Sequence, residues 1–96
     1  MAAYFISDAS VKNAEALGMF RARAAASISR YGGRYIARSS SVQTVEGTWT
    51  PNVIIIIEFP DLERAKTWYR SAEYASALAV RDDAITRQMI LVEGMI

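Results

Sequence analysis

Cysteine and histidine are both absent from this 96-residue sequence. Without cysteine, the chain can form neither a disulfide framework nor a thiolate site for a metal or a redox reaction. Without histidine, it lacks the side chain that most often transfers protons near neutral pH and most often binds metals. We therefore predict no metal and no cofactor. Any proton transfer is left to carboxylates, tyrosine, lysine and arginine.

Long apolar segments are absent as well. No stretch approaches the ~20 apolar residues of a membrane-spanning helix, and the opening MAAYFISDAS has neither the basic flank nor the apolar centre of a signal peptide. Apolar residues make up 52% of the chain and charged residues 22%, as in ordinary globular proteins. We expect one soluble domain over residues 1–96, in the cytoplasm and without a membrane partner.

Charge is unevenly distributed along the chain. Residues 1–45 carry six basic and two acidic side chains, whereas residues 46–96 carry five basic and eight acidic ones. Five arginines fall in a window without acids: Arg21, Arg23, Arg30, Arg34 and Arg38. Such a patch can attract phosphate or carboxylate ligands. We favour a solvated helix face and hairpin edge that could pair with the acidic half across an interface, because most charge runs do no more than this.

Hydrophobic periodicity predicts four strands and two helices. Alternating or continuous apolar residues predict strands over residues 3–8, 34–39, 53–59 and 85–94. Apolar residues spaced three and four apart predict a helix over residues 13–31, which the glycine pair at 32 and 33 ends. A second helix begins after Pro60 and Asp61, and a further cap at Ser71 predicts that it is kinked or divided in two.

The order of these elements is β, α, β, β, α, β, with a long polar connection between the second and third strands. This order predicts an α+β, ferredoxin-like fold with a four-stranded antiparallel sheet and both helices on one face. The stretch PNVIIIIEFP, residues 51–60, is nevertheless apolar on both faces of its strand. The uncovered face would therefore expose a larger apolar patch than soluble monomers tolerate. We predict a homodimer through this open sheet face, since each buried aliphatic side chain contributes about 1.5–3 kcal/mol.

Several motifs resemble family 1330 of the domains of unknown function. They are YGGR at 31–34, Glu46-Gly47 with Trp49 and Pro51, Glu58-Phe59-Pro60, Trp68-Tyr69, Ser71 to Tyr74, and Arg81. The resemblance extends over nearly the whole chain and breaks at Ser39-Ser40-Ser41, where the family pattern has arginine followed by glycines. It implies a dimeric α+β barrel in which two ferredoxin-like sheets face each other, as in small monooxygenases. It implies no particular activity.

Three polar residues on otherwise apolar elements are candidates for catalysis: Glu58, Tyr4 and Arg81. A carboxylate or a tyrosine in a cavity between the helices and the sheet could act as a general acid or base. For Glu58 we favour a structural alternative, a salt bridge to Arg34, Arg38 or Arg81, because a buried charge needs a partner.

Six further residues are candidates for ligand binding: Arg38, Glu46, Trp49, Trp68, Tyr69 and Tyr74. Aromatic rings with a nearby guanidinium could bind a planar anionic molecule by stacking and charge. The favoured alternatives are again structural. Trp49 would pack on a barrel rim or a dimer interface, and the aromatic stripe of the second helix would belong to the core.

Two functions stay open on these grounds. One is an enzyme that acts on a small organic molecule without a metal or a cofactor. The other is a non-catalytic dimer that binds a small acid or an aromatic metabolite. We predict no nucleic-acid partner, because the central strands carry aliphatic residues where RNA-recognition modules stack bases on aromatic ones.

Overall fold

The computed structural model describes residues 1–95. Its elements are β1 Ala3–Val11, α1 Ala14–Arg30, β2 Arg34–Ser39, β3 Val53–Phe59, α2 Leu62–Tyr69, α3 Ala72–Ala84 and β4 Ile85–Glu93. The strands form one antiparallel sheet in the order β2-β3-β1-β4. The predicted ferredoxin-like α+β fold is therefore confirmed. Within residues 1–95, no helix has the length and apolar character needed to cross a membrane.

Helix α1 begins and ends where local chemistry requires it. The Asn13 side chain caps its first turn by accepting a hydrogen bond from the Ala16 amide at 2.9 Å. At the other end, Gly32 has φ +79°, a conformation that glycine adopts without a Cβ clash. Gly33 serves a second purpose, since a Cβ there would lie 2.6 Å from the Phe59 ring. The glycine pair thus stops the helix and lets the chain pass close to β3.

The second helical segment is divided in two, as the capping pattern predicted. Asp61 opens α2 by accepting from the Arg64 amide at 2.7 Å. Ser71 then separates α2 from α3, because its hydroxyl donates to the Trp68 carbonyl at 2.7 Å and accepts from the Tyr74 amide at 3.1 Å. One hydroxyl therefore satisfies a backbone group on each side of the break.

The core lies between the sheet and the three helices. Phe5 on β1, Phe59 on β3 and Tyr74 on α3 surround Trp68, which is completely buried. The Trp68 ring lies 5.2 Å from the Phe5 and Phe59 rings and 4.0 Å from the Tyr74 ring, measured between centroids. Aromatic contacts of this kind add to the free energy gained by burying apolar area. They join α2 and α3 to the two central strands.

A buried hydrogen-bond chain connects this cluster to α1. The Trp68 indole N–H donates to the Ser27 hydroxyl at 2.9 Å, and the Ser27 hydroxyl donates to the Ala24 carbonyl at 2.8 Å. Ser27 is 2% exposed, so water cannot replace it as the partner of the indole. This explains why α1 carries a serine on its buried face.

Acidic residues pair with part of the arginine-rich segment. Glu73 on α3 accepts from the Tyr31 hydroxyl at 2.8 Å and contacts Arg30 Nε at 3.2 Å. A hydrogen bond from its own backbone amide and the one from Tyr31 hold the pKa of Glu73 below its usual value of 4.5. Arg23 instead donates to the Ser76 carbonyl at 3.0 Å. Pairing with the acidic half thus occurs within the chain, whereas the sequence suggested it across an interface.

We expect Ser27→Ala to lower the free energy of unfolding by about 1–3 kcal/mol, because it leaves the buried Trp68 indole N–H without an acceptor. The matched control is Ser29→Ala, which removes an exposed hydroxyl two residues away on α1 and should change the value by less than about 0.5 kcal/mol. Urea unfolding at fixed protomer concentration measures both. Equal stability of the two variants would contradict the role of Ser27.

Candidate functional site

On the open face, the side of the sheet away from the helices, three rows of residues cross all four strands. The first row, at one end of the sheet, is polar except for Val92, and we call it the polar row: Arg34, Glu58, Tyr4 and Val92. The middle row is entirely apolar: Ala37, Ile56, Ile6 and Ile90. The last row is mixed: Ser39, Ile54, Asp8 and Gln88. Ile90 is 62% exposed, whereas Ala37, Ile56 and Ile6 are half-buried, so this aliphatic band is partly open to solvent in the single chain.

The polar row holds two of the three candidates for catalysis. The Glu58 carboxylate accepts from Arg34 Nε at 2.8 Å, which confirms the predicted salt bridge with the first of the three proposed arginines. The Tyr4 hydroxyl lies beside this pair. The Glu58 carboxylate, as its hydrogen-bond acceptor, and partial desolvation raise the pKa of Tyr4 above 10.0, while the charge of Arg34 opposes the rise. Tyr4 therefore stays protonated at neutral pH.

A β-bulge sets the orientation of β2. The pairing with β3 shifts between Tyr35 and Ala37, so that Tyr35 packs on the helix side of the sheet while Ala37 faces the open side. The Arg38 guanidinium lies 4.8 Å from the centroid of the Tyr35 ring. Arg38, a candidate for ligand binding, is thus positioned by a cation–π contact at the edge of the sheet.

Residues 40–52 form a strap, a segment without regular structure that lies against the open face. Asp8 holds its C-terminal end: its carboxylate accepts from the Trp49 indole at 3.2 Å and from the Asn52 amide at 3.0 Å. The Asn52 side chain also donates to the Ser10 hydroxyl at 2.7 Å. Between strap and sheet is a largely apolar hollow of about 490 Å³ that includes Glu46 and Trp49, two further candidates for ligand binding.

A larger cleft of about 670 Å³ lies on the other side of the sheet, between β4 and the helices α2 and α3. Its floor is apolar and formed by Phe5, Tyr69, Ile85, Met89 and Leu91. Its polar lining is mainly cationic, from Lys12, Lys66, Arg70, Arg81 and Arg87, with Asp82 as an acid. Apolar walls with a few charged groups, in a volume of this size, are typical of small-molecule sites.

The sheet separates the predicted site residues. Arg81 and Tyr69 line the cleft, whereas Glu58 and Tyr4 lie on the open face. The expectation that Glu58, Tyr4 and Arg81 share one cavity between helices and sheet is therefore wrong. It failed because Glu58 and Tyr4 alternate with the core residues of β3 and β1 and so point away from the helices. Trp68 and Tyr74 lie in the core, at 0% and 1% exposure, as the structural alternative stated.

Sequence reasoning missed Arg87. This residue lies on the helix side of β4, where Ile85, Met89 and Leu91 are its neighbours on the same face. Its Nη2 donates to the Tyr74 hydroxyl at 2.7 Å, and its guanidinium lies 5.6 Å from the centroid of the Phe20 ring. Glu58 was singled out because it is a charged residue in a strand whose other side chains are apolar. The same signal in ITRQMIL would have identified Arg87.

Two other cleft residues are held by the end of α3. Lys12 Nζ donates to the Asp82 carbonyl at 2.6 Å, and Arg81 Nε donates to the Asp82 carboxylate at 3.1 Å. The charge of Arg81 is thereby partly compensated. Over residues 1–95, no three carboxylates converge in a way that could hold a metal ion.

Comparison with protein families matches residues 2–95 to the family described as Domain of unknown function (DUF1330). The chain belongs to the DUF1330 family. The match confirms the family that the motifs around the glycine pair, the isoleucine strand and the divided helix resembled. No curated protein sequence matches this DUF1330 chain significantly.

Solved structures with low sequence identity share the fold of this DUF1330 chain. The RPA0582 protein of unknown function from Rhodopseudomonas palustris is 15% identical, with a TM-score of 0.80 over 99% of this chain and 83% of that one. SnoaB, a cofactor-independent oxygenase from Streptomyces nogalater, is 14% identical, with a TM-score of 0.69 over 99% and 94%. A dimeric ferredoxin-like protein of unknown function from Bacteroides fragilis is 16% identical, with a TM-score of 0.58 over 97% and 96%.

We expect Glu58→Gln to lower the pKa of Tyr4 toward 10.0, because the substitution removes the negative charge and the strongest acceptor beside the hydroxyl. Arg34→Gln should raise the pKa of Tyr4 further, because it removes the opposing positive charge. NMR titration of the Tyr4 ring carbons measures both, with Tyr4→Phe identifying the signal. The control is Glu46→Gln in the strap, which should leave the pKa of Tyr4 unchanged because Glu46 is not among the groups that shift it. If the Glu58 and Arg34 variants changed the pKa of Tyr4 in the same direction, this account of the polar row would be contradicted.

Proposed function

We propose that this protein is a homodimer that binds a small organic molecule in the cleft between β4, α2 and α3. The observation that carries the proposal is the lining of the cleft, where an apolar floor meets several cationic side chains. Desolvation of an organic ligand on the floor would favour binding, and the cations would orient its polar groups. The position of Tyr69, which is 36% exposed at this floor, supports a contribution from aromatic contacts.

The hollow under the strap is the weaker candidate for this site. It is smaller, and its lining contains Glu46 but no cation. It also opens on the sheet face that we assign to the dimer, so its shape in the single chain would change on assembly. The cleft, in contrast, lies mainly on the helix side, and Ile90 of the open face lines it only at the edge strand β4.

Two observations bear on whether the bound molecule is transformed. The shared fold with SnoaB, described as a cofactor-independent oxygenase, supports an enzymatic role without a cofactor. The position of Glu58 and Tyr4 on the opposite sheet face supports binding without catalysis, because neither reaches the cleft to transfer a proton. We place binding first. Catalysis in the cleft would depend on Arg81 and on residues that the sequence did not single out.

The open face supports the dimer. Its middle row and the neighbouring Ile54 and Val92 are aliphatic, and two such faces packed together would remove them from water. The polar row at one end and Asp8 at the other would then border the interface. The protein from Bacteroides fragilis, which shares this fold and is described as dimeric, supports a dimeric state. A cytoplasmic location stays a prediction from the sequence.

We expect light scattering over a dilution series to give a mass of twice the 10.6 kDa of one chain down to low micromolar concentration. Ile56→Lys should give monomers, because each of the two symmetry-related subunits would bring one unpaired lysine charge into the apolar interface. Met19→Lys, an exposed position on α1, is the control and should leave the dimer intact. A monomeric native protein would refute the assembly, and so would an unchanged mass for Ile56→Lys.

The site itself is tested with a library of small organic molecules, charged and neutral, screened by ligand-observed NMR. We expect binders whose signals are lost in Met89→Trp, because the larger side chain fills the cleft. Val42→Trp adds similar bulk to the hollow under the strap and should retain them. Circular dichroism and light scattering establish that both variants fold.

The opposite pattern, with binding lost only in Val42→Trp, would move the site to the hollow and contradict the proposal. A library without binders to the folded dimer would do the same. Mass spectrometry of each binder after prolonged incubation then separates the two functions. An unchanged molecule supports binding, and a new product supports catalysis.

A further inference from the structure

Arg87 differs from the other cations of the cleft in the way it is held. It lies on a strand, partly buried, on the side of the sheet that faces the core. The Tyr74 hydroxyl accepts from its Nη2 at 2.7 Å, and the Phe20 ring lies beside the guanidinium. Burial raises the pKa of Tyr74 above 10.0, so this hydroxyl stays neutral and orients Arg87 without cancelling its charge.

The charge of Arg87 lacks a carboxylate partner in the part of the chain that the structure describes. Arg30, Arg34 and Arg81 each contact a carboxylate within 3.2 Å. Arg87 contacts a phenol and an aromatic ring instead. An exposed cation such as Arg70 is solvated by water, but a partly buried guanidinium gains more from an anion than from a neutral partner.

The surroundings of Arg87 define what such an anion would be attached to. The floor of the cleft offers the Tyr69 ring, which stacks on Phe5 with centroids 5.8 Å apart and an angle of 29° between the rings. Met89 and Leu91 continue the apolar surface along the same face of β4. A flat ring could lie on this floor while its charged substituent reaches the guanidinium.

We propose that Arg87 is the anion-recognition residue of the cleft and that the ligands bound there are aromatic acids. This inference rests on the proposed function, since it names the chemical class of the molecule that the cleft takes. Tyr74 and Phe20 act as positioning residues. They hold the planar guanidinium so that its remaining N–H groups can donate to both oxygens of a carboxylate.

The test compares two molecules of nearly equal shape, naphthalene carboxylate and naphthalene carboxamide. Isothermal titration at low salt measures their affinities for the unmodified 96-residue protein. We expect the native protein to bind the carboxylate about 10-fold more tightly or better, because a charge-assisted hydrogen bond is roughly twice as strong as a neutral one. Arg87→Gln should abolish this preference and leave the affinity for the carboxamide nearly unchanged.

Two further variants test whether the preference for the carboxylate comes from Arg87 itself, from the overall positive charge or from a change in folding. Arg21→Gln removes an exposed cation of α1 that does not line the cleft and should keep the full preference. Arg87→Lys keeps the charge but loses the planar fork, so it should keep only part of the preference. Circular dichroism confirms the fold of each variant, and Arg87→Lys keeps the test informative if Arg87→Gln unfolds.

The possible outcomes separate the two proposals. Equal binding of the two molecules to the native protein, with both lost in Met89→Trp, overturns the role of Arg87 but keeps the cleft. A preference that survives in Arg87→Gln, or that falls equally in Arg21→Gln, also overturns it. If neither molecule binds while the library screen finds other cleft binders, only the assignment to aromatic acids fails. If that screen fails as well, the proposed function fails with it.

Discussion

The indole of Trp68 lies where every layer of the molecule meets. Its ring contacts Phe5 of β1, Phe59 of β3 and Tyr74 of α3, and its N–H donates to Ser27 of α1. The apolar contacts favour burial of the whole ring, and burial in turn requires a partner for the one polar atom. The helices therefore have a defined position on the sheet. The cleft depends on that position, because its walls are the adjoining parts of α2, α3 and β4.

A four-stranded sheet with all helices on one side divides the chemistry of this protein into two regions. On the helix side, the cleft combines aromatic and aliphatic surface with guanidinium and ammonium groups. On the open side, an aliphatic band lies between the Glu58 and Arg34 pair at one end and the strap, held by Asp8, at the other. In the proposed dimer, polar groups at both ends of the apolar band would favour one register between the two sheets, because a shifted register would bury a charge against aliphatic side chains. Successive side chains of β1 and β3 point alternately to the core and to the open face, so each strand contributes residues to both regions.

Much of the fold was predictable because its determinants are local. Glycine at 32, the caps at Asp61 and Ser71, and the doubly apolar isoleucine strand each act through the backbone or through near neighbours. Strand β1 extends to Val11, beyond the predicted end at residue 8. Polar residues on its open face, including Asp8 and Ser10, obscured the pattern. Their partners are Trp49 and Asn52, about 40 residues away, and no local pattern reports such contacts.

The sequence by itself determined the order of the elements, the apolar character of both sheet faces, the division of the second helix and the family. Each of these follows from periodicity, capping residues or motifs read along the chain. Only the tertiary structure decided which side chains share a site. Whether Tyr4 and Glu58 meet Arg81 depends on strand alternation relative to the packed helices, which placed them on opposite faces of the sheet. Arg87 became a candidate for ligand binding in the same way. The Tyr74 hydroxyl orients its guanidinium, and the charge has no carboxylate partner among the described residues. Both arise from contacts between β4 and the helices, which form only when the chain has folded.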